Sequence, residues 1–441
     1  SGLMKRLLVN IFWVSTILSC FLSGCDTASN TEDPDFQYFI KYYGGDGDQR
    51  AKDMLLLPDG TFLLLGNSEQ RGSAQSVLDS DLYLVRVDAL GNVIREVRFG
   101  DNENSVWEAT DMELTDDGNI VVLANYLNPA ISDSRDIRLI KFSMDGDFID
   151  SVGFGSPAHE YARSVTLLWD GGFILSGTTE ATTTFGQPNV PDPDLGDGFK
   201  FRVDANLSKI PVSQWVDPVA GYGSRYDVNV KVIQVSSDLF YGFGYTNSQL
   251  SGRNPNSKLG LIYFAIDKEG LGLNQAFPGN FPDDVEVSYV HPVENSLGGG
   301  VLVIGSATTM IGQSQIFIAK LRPDLTFDVT TENDLLLYGT VSLGRNIRGV
   351  AATSSLVGER GFLVVGNEMR TTATNIWLSK IDQDGSVIWS TTLGSESQDD
   401  TAAAVAELPD GKIAVLATIG LADSQYKMAL IKLNRSGLFL K

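Results

Sequence analysis

One strand-and-turn pattern recurs seven times between residues 81 and 437, its strands are short and rich in β-branched residues, and Gly and Asp punctuate them. Together these features predict an all-β fold, a seven-bladed β-propeller of four-stranded antiparallel blades. The composition agrees with a folded chain. The 441 residues are 43% hydrophobic and 20% charged, which is globular and not disordered. The formal charge of −22 repels phosphate backbones and argues against a nucleic-acid partner. Two cysteines and two histidines exclude a disulfide scaffold and a Cys- or His-rich metal centre.

The N-terminus reads as an address. Lys5 and Arg6 precede an apolar run from Leu7 to Leu22, which ends on Leu22-Ser23-Gly24-Cys25. A basic start, an apolar centre and a small-residue end are those of a secretory signal, expected over residues 1–24. Ser1 to Leu3 stand before Met4 and have the look of a cloning scar or a misplaced start. The run of about 16 residues is short for a bilayer span. The Leu-Ser-Gly-Cys ending resembles the lipobox of bacterial lipoproteins. That resemblance implies cleavage before Cys25, lipid on Cys25, and a location at the bacterial cell envelope, on the outer membrane. Removing residues 1–24 leaves 31 basic and 55 acidic residues, a charge of −24. Residues 25–35, reading CDTASNTEDPD, are then the acylated cysteine and a solvated tether.

Residues 36–441 carry the repeats. The clearest strand, termed C, occurs as DLYLVRVDALG (81–91), DIRLIKFSMDG (136–146), DGFKFRVDANL (197–207), GLIYFAIDKEG (260–270), QIFIAKLRPDL (315–325), NIWLSKIDQDG (375–385) and KMALIKLNRSG (427–437). Upstream of it lie strand A, an Asp-Gly turn and strand B, as in DMLLLPDGTFLLLG (53–66). Downstream lies strand D, ending in an apolar residue and Gly, as at Phe99-Gly100. The fourth and fifth copies lack the Asp-Gly turn. An alanine stands eight residues before the turn aspartate in four copies: Ala51/Asp59, Ala109/Asp117, Ala162/Asp170 and Ala402/Asp410. Strand A is innermost in a propeller, so a small side chain there answers crowding near the axis. The segment QYFIKYYGG (37–45) matches a strand D with no A–C before it, and the last copy stops after strand C. The N-terminal strand is therefore expected to close the last blade, leaving no open edge.

PDGKIAVLA…MALIKLNRSG (409–437) resembles the delta-sixty repeat, and FGSPAHEYARSVTLLWDGGFILSGT (154–178) resembles the DGG-type propellers of bacterial lipoproteins. The resemblance covers residues 36–441 and implies the fold; it implies little about activity.

Function is expected on the end of the blades that carries the D–A and B–C connections, because these are long and irregular whereas the A–B and C–D turns are tight. Aromatics, carboxylates and arginines near the D–A connections would suit a sugar or peptide. The candidates are Arg50, Trp107, Glu108, His159, Tyr161, Arg225, Tyr226, Asp227, Arg345, Arg348 and Asp400. Asp46 and Asp48 in Gly-Asp-Gly-Asp carry a weak calcium signal without EF-hand spacing. The cation repeated in strand C (Arg86, Lys141, Arg202, Lys320, Lys380, Lys432) reads as structural, since every blade but one has it. No catalytic motif and no cofactor fingerprint occurs. The leading expectation is a non-catalytic, lipid-anchored propeller that binds a ligand or partner protein at the envelope, as an accessory to an outer-membrane uptake or assembly complex. A carbohydrate-active hydrolase or lyase using carboxylates at the channel mouth is one alternative, and a structural scaffold another.

Overall fold

The computed structural model describes residues 38–71, 77–100, 105–128, 134–180, 197–208, 227–246, 260–270, 272–276, 285–294, 301–309, 314–322, 335–338, 344–353, 360–382, 385–421 and 425–439. The predicted signal, Cys25 and tether lie outside these residues. Every regular element described is a β-strand.

β1 (Phe39–Tyr43) comes first. β2 (Asp48–Leu56), β3 (Phe62–Arg71), β4 (Val77–Val87) and β5 (Val93–Phe99) form an antiparallel meander. β6 (Val106–Leu114), β7 (Ile120–Leu127), β8 (Asp136–Phe142) and β9 (Phe148–Phe154) form the next. One parallel pair, Ser80 with Val106, links the two meanders. β10 (Glu160–Leu167), β11 (Phe173–Thr179) and β12 (Asp197–Val203) follow. Then come β13 (Asp227–Gln234), β14 (Leu239–Thr246), β15 (Gly260–Asp267) and β16 (Gly272–Ala276). The following sheet is β17 (Val285–Glu294), β18 (Val301–Thr309), β19 (Ser314–Leu321) and β20 (Leu335–Tyr338). After it come β21 (Gly344–Ala352), β22 (Gly361–Met369), β23 (Thr374–Asp382) and β24 (Val387–Leu393). The last sheet holds β25 (Thr401–Glu407), β26 (Ile413–Gly420) and β27 (Tyr426–Leu433). Its fourth strand is β1, antiparallel to β27 with Phe39 opposite Lys432.

The turns account for many of the glycines. At the A–B turns Gly60, Gly118, Gly171 and Gly411 have φ between 76° and 80°, a conformation that costs a Cβ-bearing residue energy. Each donates its N–H back across the turn, as Gly60 does to Leu57 O at 2.9 Å. Leu207 takes this conformation at a C–D turn, with φ 60°, where its counterparts Gly91, Gly146 and Gly437 are glycines.

The core is divided among the interfaces between successive sheets. One cluster joins Leu63, Leu65 and Leu82 to Trp107, Ile120 and Ile140. The next joins Val121 and Leu139 to Val165, Phe173 and Phe201. The pattern continues along the chain, and the final cluster packs Ala404, Leu416 and Leu430 of the last sheet against Met54, Phe62, Leu64 and Tyr83 of the first. The arrangement is β-propeller-like: stacked antiparallel meanders, apolar on the faces they turn to their neighbours.

Candidate functional site

Strand A of every meander carries a β-bulge at the same place. The register shifts between Ala51 and Asp53, Ala109 and Asp111, Ala162 and Ser164, Asn229 and Lys231, Val287 and Tyr289, Ile347 and Gly349, and Ala402 and Ala404. A bulge leaves one residue unpaired and re-aims its side chain. It also frees a backbone N–H, which needs a partner if buried.

The preceding sheet supplies that partner. Ala109 N donates to Asn67 Oδ1 at 3.0 Å, Ala162 N to Asn125 Oδ1 at 2.7 Å, and Ala402 N to Asn367 Oδ1 at 2.8 Å. Ile347 N donates to Ser306 Oγ at 2.7 Å. Ala51 N donates to Thr418 Oγ1 at 2.9 Å and so ties the first meander to the last sheet. The repeated alanine is thus small and also holds the inter-sheet hydrogen bond. One layer further in, Asp53 Oδ2 accepts from Met112 N at 3.1 Å and Asp111 Oδ2 from Val165 N at 3.0 Å.

These bulged strands wall a cavity of about 650 Å³, within the range of small-molecule sites. Towards the D–A end it is lined by Arg50, Glu69, Glu108, Tyr161 and Thr401. At the bulge layer Lys52, Thr110, Arg163, Val230, Arg348 and Ala403 face it, and beyond them Asp53, Asp111, Lys231 and His291. Burial, and then the Asp111 carboxylate, push the Asp53 carboxyl well above its usual range. Burial likewise raises Asp111, with Lys231 opposing. Glu113 is raised by burial to about 7, and His291 is lowered by burial, then by Lys231, to about 3, so its imidazole is neutral at neutral pH. Lys52 is open to water in the cavity yet ringed by protein; desolvation, then Arg348, lower its pKa.

Four of the sequence candidates line this space: Arg50, Glu108, Tyr161 and Arg348. Arg50 pairs with Glu69 at 3.1 Å and lies over the Tyr426 ring at 4.2 Å. Glu108, His159 and Tyr161 meet around Arg135. Its guanidinium is 3.4 Å from Glu108 and 5.3 Å from the Tyr161 ring centre, and its backbone N–H donates to His159 Nδ1 at 3.0 Å. The others have different surroundings. Trp107 is 8% exposed within the core. Arg345 donates to Glu368 at 2.8 and 2.9 Å and lies over Trp377. Asp400 accepts from Ser395 N and Gly420 N, bracing its own D–A connection. Arg225 and Tyr226 lie outside the described residues, and Asp227 opens β13.

In the Gly-Asp-Gly-Asp segment a lysine occupies the oxygens that a metal would seek. Lys427 Nζ donates to Gly45 O, to Gly47 O at 2.9 Å and to Gln49 Oε1 at 2.7 Å, while Asp48 Oδ1 accepts from Tyr426 N. Among the described residues no group of three or more His, Cys, Asp and Glu could hold a metal ion. Three of the repeated strand-C cations meet the turn aspartate of their own meander: Arg86 with Asp59 at 2.7 Å, Lys141 with Asp117 at 3.0 Å, and Arg202 with Asp170; Lys432 instead donates to Ala89 O at 3.0 Å.

Lys52, Asp53, Asp111, Arg163 and Lys231 are absent from the sequence candidates. Their signal is positional: each stands one or two residues after the repeated alanine or its equivalent. That offset acquires meaning only through the bulge.

No family model and no curated protein matches the chain. Solved structures do. A protein of unknown function from Dyadobacter fermentans is 10% identical, over 90% of this chain and 97% of that one, with TM-score 0.47. Drosophila plexin A, solved in complex with semaphorin 1b, is 9% identical over 90% and 86%, with TM-score 0.47. The intramolecular trans-sialidase of Ruminococcus gnavus is 11% identical over 92% and 98%, with TM-score 0.44. At these scores no activity carries over to this chain.

Proposed function

We propose that the chain is a closed seven-bladed β-propeller, held at a bacterial cell envelope by lipid on Cys25, that binds a ligand in its central channel without transforming it. The ligand is a small molecule or the end of a partner protein's chain, as an accessory subunit of an outer-membrane complex would bind. The observation that carries this reading is the cavity of about 650 Å³ walled by the bulged strands and lined by charged side chains. Inter-sheet clasps and interface cores that return from the last sheet to the first support ring closure. The Leu-Ser-Gly-Cys ending supports the anchor.

The test uses the full chain and a screen of sugars, sugar acids, amino acids and short peptides by ligand-observed NMR. Thr110→Trp fills the channel at the bulge layer, and Thr110→Leu fills it less. A compound that binds wild type and is lost in T110W, with a partial loss in T110L, supports the reading. No binder, or binders indifferent to both substitutions, overturns it. Incorporation of radiolabelled palmitate into wild type and not into Cys25→Ala tests the anchor separately.

A hydrolase reading draws on the raised carboxyls of Asp53, Asp111 and Glu113, because perturbed acids gather at catalytic sites. Against it, Asp53 and Asp111 already accept backbone N–H groups. Turnover of a polysaccharide, abolished by Glu113→Gln, would favour it over simple binding.

A further inference from the structure

We propose that the bulge layer of the channel is an oxyanion site, in which Lys52, Arg163 and Arg348 hold the carboxylate or phosphate group of a small ligand. This rests on the reading of the channel as a ligand site and adds the chemical class. Three strands from three different meanders each place a cation at the same bulge position facing one cavity. All three side chains are open to the cavity.

None of the three makes a hydrogen bond or ion pair within the described residues. Several of the protein's other cations are paired. Arg50 has Glu69, Arg135 has Glu108, Arg345 has Glu368, and Lys427 has a nest of oxygens. The nearby acids are engaged elsewhere: Glu108 and Glu69 with those arginines, Asp53 and Asp111 with backbone N–H groups. Placing like charges around one space costs energy; the Lys52 pKa is lowered first by desolvation and then by Arg348 and Arg163, with Glu108 and Asp111 opposing. In a chain of net charge −22, the arrangement gains a physical rationale when an anion completes it. Two guanidinium forks and one ammonium supply the planar and point-charge donors that an oxyanion accepts.

Isothermal titration of the full chain with inorganic phosphate, glucuronate and glucose, at low ionic strength and neutral pH, tests this. Phosphate or glucuronate is expected to bind, with glucose at least about tenfold weaker, since hydrogen bonds to charged groups are worth about 1.5–3 kcal/mol each. Which of the two anions binds more tightly tells carboxylate from phosphate. Arg163→Gln and Arg348→Gln should each weaken the bound anion about tenfold or more. Arg163→Lys should restore part of the loss, and Arg95→Gln, on the outer surface, should change nothing. Equal affinity for glucose and glucuronate, with both lost in T110W, sinks the oxyanion site and leaves the channel reading standing. Anion binding indifferent to R163Q and R348Q, or binding by neither anion at millimolar concentration, also overturns the proposal. A screen in which nothing binds the channel overturns the broader reading as well.

Discussion

Asn67→Ala should loosen the joint between the first two meanders by an amount the hydrogen bonds predict. Asn67 is 8% exposed. Its Oδ1 is the acceptor for Ala109 N at 3.0 Å, and its Nδ2 donates to Trp107 O at 2.5 Å and, at longer range, to Ser80 Oγ at 3.2 Å and Asp81 O at 3.3 Å. Ser80 Oγ also donates to Trp107 O, at 2.8 Å, so that carbonyl keeps a partner in the variant. The Ala109 N–H does not. An orphaned buried donor costs about 1–3 kcal/mol, and losing the Nδ2 bonds, of which only that to Trp107 O is short, adds about 1 kcal/mol, so the expected destabilisation is about 2–4 kcal/mol. Asn67→Thr should recover most of it, because Thr418 Oγ1 performs the same service for Ala51 N. Urea denaturation followed by tryptophan fluorescence reads this directly, since Trp107 lies at the joint. An N67A midpoint equal to wild type, or an N67T variant no better than N67A, would refute the clasp as a source of stability.

Stability should also depend on pH through Glu113. Its folded pKa of about 7 exceeds the ordinary glutamate value, so the folded state holds the proton more tightly. The contribution is full below about pH 4 and is lost as pH rises through 7. Glu113→Gln should flatten that decline and be more stable than wild type at pH 8 by about 1–3 kcal/mol, measured by denaturation across the pH range. Lys427→Met removes three bonds between the last sheet and the first segment. It should cost about 2–4 kcal/mol and speed amide hydrogen exchange in β1 and β27; unchanged exchange there would count against the closure. Arg86→Met should cost less than about 1 kcal/mol, because its partners Asp59 and Asp145 are 50% and 75% exposed. A thermal melt well below wild type would show the strand-C cation to matter more than surface pairing allows.

Much of the fold was legible in the sequence because its signals are local. The period of 52 to 63 residues, the β-branched runs and the Asp-Gly turns each depend on a few neighbouring residues. The unpaired strand-like segment at 37–45 likewise pointed to β1 beside β27. The candidate site was legible at its mouth and at one deeper position, Arg348. Arg50, Glu108 and Tyr161 stand just before the repeated alanine, and loop position flagged them. Trp107 and Asp400 were flagged by the same rule, but the register turns them into the core and into a backbone brace.

The deeper layers of the cavity were otherwise not legible. Lys52 and Arg163 read as ordinary exposed cations in a strand, and their convergence with Arg348, which loop position had flagged, depends on a bulge that shifts every strand A by one residue. The sequence by itself determined that the chain is a series of antiparallel strand units with glycine turns, since those preferences reside within each unit. Only the tertiary structure decided which side chains share a cavity, because residues 52, 163 and 348 meet through packing between sheets and not through their spacing along the chain.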